Sequence, residues 1–316
     1  MNVKLIIGLI LLFNCSQNLV IAEDKRFPLI VKSGHLLSEW KLNDSIQAKV
    51  MLETGFPKIV ISENFALKHL KHLVKFETAA KNTSIRLWGT ANKIKVSYLI
   101  RDTLYLFGRD IAIDALVVDV ANIDVWKDHD MIFPLKDLPG ITEININGKY
   151  MIIDRKQEEL QKTYHSFDVE YDENVKGLFL SGSLIVRDTL EMEEKLDGNF
   201  LLDLGAPNAL FVNRDLENVG NFIIRSERML LKDTTQFKPD PHTKLGIIMP
   251  NKFYLNNISC KDEYIVAMRM FKGHAQEYSG IIGNRFFSHF IIAFNFEKKK
   301  IFIRVNSDKV KVSDNF

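Results

Sequence analysis

The chain has 316 residues, 46% of them hydrophobic and 26% charged, with a formal net charge of +2. That composition supplies a full apolar core and excludes a disordered or collagen-like chain. A charge so near zero, with no Lys/Arg stripe interleaved with aromatics, excludes electrostatic nucleic-acid binding and a strong pull toward an anionic membrane.

Lys4 precedes an apolar run from Leu5 to Phe13, and a more polar segment then ends in Val20-Ile21-Ala22 before Glu23. This is the pattern of a signal peptide over residues 1–22, with small residues at Val20 and Ala22 ahead of the cut. Asn14, Ser16, Gln17 and Asn18 break the run well short of a bilayer, so no stable membrane span is expected. A lipoprotein would use Cys15, but Asn14 stands where a small residue is usual. The expectation is an exported protein, periplasmic or extracellular, whose mature form begins at Glu23. Cys15 and Cys260 are the only cysteines. Loss of the leader leaves Cys260 alone, which rules out an intrachain disulfide and a cysteine zinc site. Such a chain fits a bacterial envelope protein better than a typical eukaryotic secreted one.

Beyond residue 23 the pattern is short apolar runs separated by turn signals. Strands are predicted at IQAKVML (46–52), IKVSYLI (94–100), IAIDALVVDV (111–120), GITEINI (140–146), KYMIID (149–154), GLFLSGSLIV (177–186), GNFLLDL (198–204), KLGIIM (244–249), IIAFNF (291–296) and KIFIRV (300–305). One helix is predicted over Ser62 to Lys75, with Ser62 as N-cap and Phe65, Leu67, Leu70 and Leu73 as its apolar positions. The charged stretch Asp154 to Ser166 matches no strand. It places a linker at 156–165 between a first half, 23–155, and a second, 166–316.

Compared with itself, the chain repeats. VMLETGFPKIVIS, from Val50, lies over FLLDLGAPNALFV, from Phe200: Leu52, Gly55 and Pro57 fall on Leu202, Gly205 and Pro207, an offset of 150 residues. Glu53 falls on Asp203. At the same offset DMIFPLKDLPGITEININGKYMII, from Asp130, lies over GIIGNRFFSHFIIAFNFEKKKIFI, from Gly280. SGHLL at Ser33 also resembles SGSLI at Ser181, at a slightly different offset. Two separated segments sharing one offset identify a duplicated β unit. Each copy begins on an acid-x-Gly turn and closes on an apolar loop and hairpin.

This arrangement resembles the aspartic peptidases, of the pepsin-like and retropepsin-like kind, with two units fused in tandem. LLDLGA and GIIGNRFF carry the family pattern in the second half, MLETGF and DMIFPL a weaker form in the first. The resemblance implies a mostly β fold of two pseudo-twofold-related acid-protease-like lobes with few short helices. It further implies a catalytic pair, Glu53 and Asp203, one from each half, and a peptide or unfolded-protein substrate. A monomer is expected, without cofactor or metal. The chemistry explains the pairing. Two adjacent carboxylates cannot both ionise easily, so one keeps a proton; the pair then supplies a base for water and an acid for the carbonyl oxygen. Aspartic proteases are the standard example of this effect.

The departures from the family pattern are specific. Glu53 stands where Asp is usual. Leu204 stands where a Thr or Ser hydroxyl would lock the two turns together, while Thr54 keeps the other half of that lock. Phe133 is aligned with Gly283. Two function classes follow: an aspartic endopeptidase working through Glu53/Asp203, or a catalytically inactive homologue that binds peptide or protein. A third class is an unrelated β-rich envelope protein with a purely structural repeat.

Other motifs carry less. His69 and His72 lie three apart on the predicted helix without a carboxylate beside them, which reads as a solvated face. Asp128 to Asp130 (DHD) reads as turn chemistry, and Ser181 lacks the nucleophile-elbow pattern. Asn82 and Asn257 are glycosylation acceptors in a eukaryotic secretory pathway. LWGTANKIKVSYLI, with Trp88 and Gly89, reads either as an ordinary hairpin or as the flap over the cleft that the resemblance implies some 35 residues beyond Glu53.

Overall fold

In the computed structural model, residues 25–32, 34–86, 93–120, 129–172, 177–214, 216–231, 246–250, 252–268 and 278–313 are described. The predicted leader 1–22 with Cys15, the hairpin tip with Trp88 and Gly89, and Asp128 lie outside them. The fold is mostly β, in two sheet lobes with few short helices, as the repeat predicts.

The first lobe is one nine-stranded sheet. Its order is Ile30–Lys32, His35–Leu42, Ile46–Glu53, Met131–Pro134, Ile59–Ser62, Arg109–Val118, Lys93–Leu106 and Phe76–Thr78, with Ser84–Arg86 against Lys93–Leu106. The second lobe is a ten-stranded sheet. Its order is Gly246–Ile248, Ile265–Met268, Leu210–Asn213, Gly280–Ile282, Glu193–Leu202, Gly177–Arg187, Lys252–Leu255, Ile258–Lys261 and Val310–Val312, with Glu170–Asp172 on Gly177–Arg187. Alternation drives both sheets. In Ile46–Glu53, Ala48, Val50 and Leu52 point into the main core, while Met51 packs into a smaller apolar layer on the opposite face.

A third sheet, of six strands, draws on both halves: Arg26–Pro28, Tyr150–Arg155, Ile141–Asn145, Phe290–Asn295, Lys300–Val305 and His165–Asp168. Its two central strands pair antiparallel, Thr142 with Phe294, Glu143 with Ala293 and Ile144 with Ile292. Glu143 thus faces Ala293, its own counterpart in the 150-residue repeat. A local twofold axis passes between them. Residues 156–165 hold the short helix Gln157–Leu160 and lead into the outer strand His165–Asp168.

Each acid turn is held by the same inserted strand. Met131–Pro134 runs parallel to Ile46–Glu53 and antiparallel to Ile59–Ser62. Gly280–Ile282 does the same between Glu193–Leu202 and Leu210–Asn213. Their registers correct the sequence alignment by one residue. Pro134 lies beside Glu53 and Phe133 beside Leu52, whereas Ile282 lies beside Leu202. The counterpart of Gly283 is therefore Pro134, and Phe133 is a fully buried core residue packed edge-on to Trp40. In the second half the acid turn is one residue longer, the return to the inserted strand two shorter and the connection after it one longer, which hid the slip.

Two further expectations are corrected. Leu37 pairs with Met51 as Phe179 pairs with Leu201, so Leu37 matches Phe179, and SGSLI at Ser181 lies mid-strand rather than opposite SGHLL. The helix predicted to Lys75 ends at Leu70: a short α turn, Glu63–Phe65, passes into a wider turn, Ala66–Leu70. Ser62 does cap it, accepting from the Phe65 amide. Phe65, Ala66 and Leu70 are buried and Leu73 is 44% exposed; Val74, whose amide donates to Leu70 O at 3.1 Å, is the last buried position before the chain turns away. The Asp102 carboxylate takes the Lys75 amide at 2.8 Å and turns the chain into the strand Phe76–Thr78.

Cys260 is free and fully buried. Burial, then the nearby Glu263 charge, pushes its thiol well above the ordinary range. The folded chain is expected to alkylate at pH 8 about a hundredfold or more slowly than the urea-unfolded chain. Equal rates, followed by mass spectrometry, would contradict this burial.

Candidate active site

Both acid turns end a strand that is buried on two faces, and each turn is drawn toward the other lobe by hydrogen bonds. In the second turn, the Asp203 amide donates to Ile282 O at 2.9 Å, and Gly205 N donates to Asp203 Oδ1 at 2.8 Å. Gly283 N donates to Ala209 O at 3.1 Å. Pro134, at the matching place in the first lobe, has no amide to give. A side chain at Gly283 would collide with the Ala206 and Asn208 carbonyls, so this position needs glycine for close approach.

The lock between the turns is one-sided. Thr54 Oγ1 donates to Leu202 O at 2.7 Å and accepts from Leu204 N at 3.0 Å. Thr54 is 1% exposed, so both bonds are dry. Leu204 has no hydroxyl to return the contact and packs into the core instead. Asn284 stands in on that side. Its amide group donates to Leu204 O and, at 2.7 Å, to Gly34 O of the first lobe. Its own backbone N–H donates to Ala206 O at 2.7 Å.

The structure brings Glu53 and Asp203 together, and each is only partly exposed. The position a Cβ would take at Gly55 lies 3.6 Å from Asp203 Cγ. The longer Glu53 side chain reaches across to the second turn, where a Cβ on Gly205 would overlap its carboxylate. The two carboxyls share a hydrogen bond. Burial, then the Asp203 charge and that bond, raises Glu53 far above the usual carboxylate range, against the pull of the Gly55 and Thr54 amides. Burial also raises Asp203, but the bond from Glu53, the Gly205 amide, the charge of His35 and the Ala206 amide all favour its anion. Both carboxyls are thus raised, and the pair holds a proton between them beyond the ordinary carboxylate range.

Behind the second turn a buried carboxylate braces the closing loop. Glu263 lies 2.6 Å from Arg285 Nε and 2.8 Å from His289 Nε2. Arg285 covers the Tyr264 ring at 4.6 Å, and the Tyr264 hydroxyl donates to Asn208 Oδ1 at 3.1 Å. Burial raises the Glu263 pKa, but the hydrogen bonds and charges of His289 and Arg285 outweigh it, and the net shift is downward. A carboxyl lowered in the folded state adds stability above its unfolded pKa and loses it as pH falls through the folded one. Glu263→Gln should therefore cost about 1–3 kcal/mol at neutral pH. That difference should shrink as urea unfolding is repeated toward pH 3. A gap independent of pH would refute the ion pair as its cause.

The remaining sequence candidates do not converge on this site. Asp130 is not turn chemistry as read: its carboxylate accepts from Lys49 N at 2.9 Å, its amide donates to Lys49 O and its carbonyl accepts from Ser62 N, which ties the start of the inserted strand to both neighbours. Ser181 donates to Asn199 Oδ1 at 2.7 Å. The His69 ring packs beside Phe65, and no group of three His, Cys, Asp or Glu able to hold a metal occurs among the described residues. Asn82 is exposed in a turn, while Asn257 spends its amide on Ser313 O at 2.8 Å. The arms of the expected hairpin, Ser84–Arg86 and Lys93–Leu106, are paired. Sequence reasoning missed His35, Asn284 and Tyr278. Asn284 directly follows the Gly283 motif and was legible as its neighbour. Tyr278 is 1% exposed and close enough to Asp203 for that charge to raise its hydroxyl pKa, behind the larger effect of burial. Neither it nor His35 carries a motif.

No protein-family model and no curated protein sequence matches the chain. Among solved structures it matches basic 7S globulin from soybean, with a TM-score of 0.58 over 89% of this chain and 95% of that one. Identity is 8%, so the likeness is one of fold alone: two-lobed and pepsin-like. No helix among the described residues is long and apolar enough to cross a membrane.

Proposed function

We propose that the protein is an exported aspartic-type endopeptidase that hydrolyses peptide bonds of unfolded proteins through Glu53 and Asp203. The observation that carries this reading is the meeting of the Glu53 and Asp203 carboxyls, one from each acid turn, at the locked junction of the two turns. A carboxylic acid hydrogen-bonded to a carboxylate, partly open to solvent between two lobes, is the acid and base that hydrolysis needs without metal or covalent intermediate. Asp203, the anion, takes a proton from water as that water attacks the carbonyl carbon. Glu53 gives its proton to the carbonyl oxygen. The resulting gem-diol collapses as the C–N bond breaks: the amine leaves with the proton gained by Asp203, and one gem-diol hydroxyl returns its proton to Glu53 as the carboxylic acid forms.

Cleavage of an unfolded protein by the secreted chain, scanned from acidic to neutral pH, tests the reading. Its companion is binding of a peptide whose scissile carbonyl is replaced by a tetrahedral hydroxyl carbon, which should outbind the plain peptide by at least about a hundredfold. A second reading is favoured by one observation, the reach of Glu53 across Gly205, which fills space a Cβ-free turn leaves open. Under it the chain is an inactive homologue that holds peptide. No cleavage, with both peptides bound equally, would establish that reading instead. Export would be seen by N-terminal sequencing of the secreted form, which should begin at Glu23; a retained Met1 or a lipid on Cys15 would refute it.

A further inference from the structure

We propose that a cationic cavity beside the hairpin of the first lobe is a subsite for acidic side chains of the peptide held at Glu53 and Asp203. The inference rests on the reading of the chain as one that holds peptide, whether or not it cleaves it.

The cavity has a volume of about 1070 Å³ and lies between residues 79–84 and the outer part of the strand Lys93–Leu106. A bulge bends that strand. Val96 pairs with Val118 but Tyr98 pairs with Val117, so Ser97 is an extra residue and the strand turns out of the sheet there. Beyond the bend it pairs with Ser84–Arg86 instead. Lys93 and Lys95, two apart, share one face of this ribbon, and Ser84 stands directly opposite Lys95. Lys81 joins them at the wall of the cavity, and the one acid there is Glu63. None of the three lysines forms an ion pair among the described residues, and the Ser84 and Ser97 hydroxyls have no hydrogen-bond partner among them. Ammonium groups on one face repel one another until an anion neutralises them. A concave wall of one sign concentrates ligands of the other, and a carboxylate can accept from ammonium and hydroxyl together.

The cavity is continuous with the carboxyl pair. Ala79 and Val96, in its wall, belong to the smaller apolar layer that also holds Met51, Ile132 and the partly buried Phe56, three residues after Glu53. Four strand spacings separate Ile46–Glu53 from Lys93–Leu106 in the sheet. At about 4.8 Å each they match the reach of roughly six extended residues. A peptide lying along this layer, with its scissile bond at the carboxyl pair, therefore brings a residue about six positions away to the lysines.

The test is calorimetric binding to the full chain of an uncharged peptide with an apolar centre, extended at either end by a run of Glu, Gln or Lys. At one end only, the Glu run should bind about tenfold tighter than the Gln run, and the gain should vanish in high salt. Lys81→Gln, Lys93→Gln and Lys95→Gln together should level the two while leaving affinity for the Gln peptide native. Changing the same three lysines to Glu should make the Lys run the tightest. Lys309→Gln with Lys311→Gln, at two exposed lysines of the second lobe, should change nothing. Equal binding of the Glu and Gln peptides by the native chain, or a Glu preference that survives in the triple Gln variant, overturns the proposal. So does a sulfated oligosaccharide that needs the three lysines while the peptide ends are not told apart, since the ligand would then be a glycan. The binding needs no turnover. A Glu preference in a chain that cleaves nothing sinks the peptidase reading and leaves this one standing; cleavage without the preference does the reverse.

Discussion

Asp203→Asn should abolish cleavage, lowering kcat/KM by about a thousandfold or more, the scale of a lost general base. An amide takes no proton from water, and it no longer needs the Glu53 proton to neutralise it. The turn itself should survive, because the Asn Oδ1 still accepts the Gly205 amide. The same variant should be more stable than the native chain at pH 7. Both carboxyls are raised by burial above their unfolded values. The stability such groups confer is complete below the unfolded pKa and is lost as pH rises through the folded one, so at neutral pH the pair is a burden. Removing it should return about 0.5–2 kcal/mol, as active-site substitutions do when a strained charge is relieved. Activity should also be bell-shaped, with its alkaline limb set by Glu53 and lying above the ordinary carboxylate range. Unchanged cleavage in Asp203→Asn would end the catalytic role. An alkaline limb at ordinary carboxylate pH would contradict the proton assignment.

The second large effect is expected at Thr54. Thr54→Val keeps the shape and deletes both bonds of the lock, leaving Leu204 N and Leu202 O dry and unpaired. Each orphaned group costs about 1–3 kcal/mol, so thermal unfolding should move down by several degrees. Activity should fall more than stability. The two turns meet through this hydroxyl, and a looser junction lets the carboxyls drift by more than the ~0.5 Å that productive geometry tolerates. Thr54→Ser, with the same hydroxyl, should be close to native. Leu204→Thr should add the missing contact only if the core accepts the smaller apolar volume, since Leu204 is fully buried. A Thr54→Val chain with native melting temperature and native kcat/KM would show that the lock contributes nothing.

Much of this was legible in the sequence because the repeat is periodic in two ways. Strand alternation located the apolar runs, and the constant offset joined Glu53 to Asp203 across a hundred and fifty residues without any structural information. What failed did so for local reasons. The offset is an average of a lengthened turn and a shortened return, so Phe133 was aligned with Gly283 when sheet register puts Pro134 there. The helix Glu217–Leu231 went unread although Val219, Phe222, Ile223 and Ser226 face inward at helical spacing. Its polar positions and Gly220, in its first turn, diluted the signal. The docking of Gly34 on Pro207 was invisible for a different reason: it is a contact between residues far apart in the chain.

The sheet that crosses the local axis between Glu143 and Ala293 has a consequence for inheritance. Two separate copies of one half, meeting across such an axis, would carry every substitution twice, and a lengthened acid in one turn would be a lengthened acid in both. Joined in a single chain, the halves mutate alone. Glu53 faces an unaltered Asp203, Pro134 coexists with Gly283, and Leu204 with Thr54. Covalent linkage has turned a symmetric pair of equals into two sites with separate histories, and a base and an acid can then be different residues.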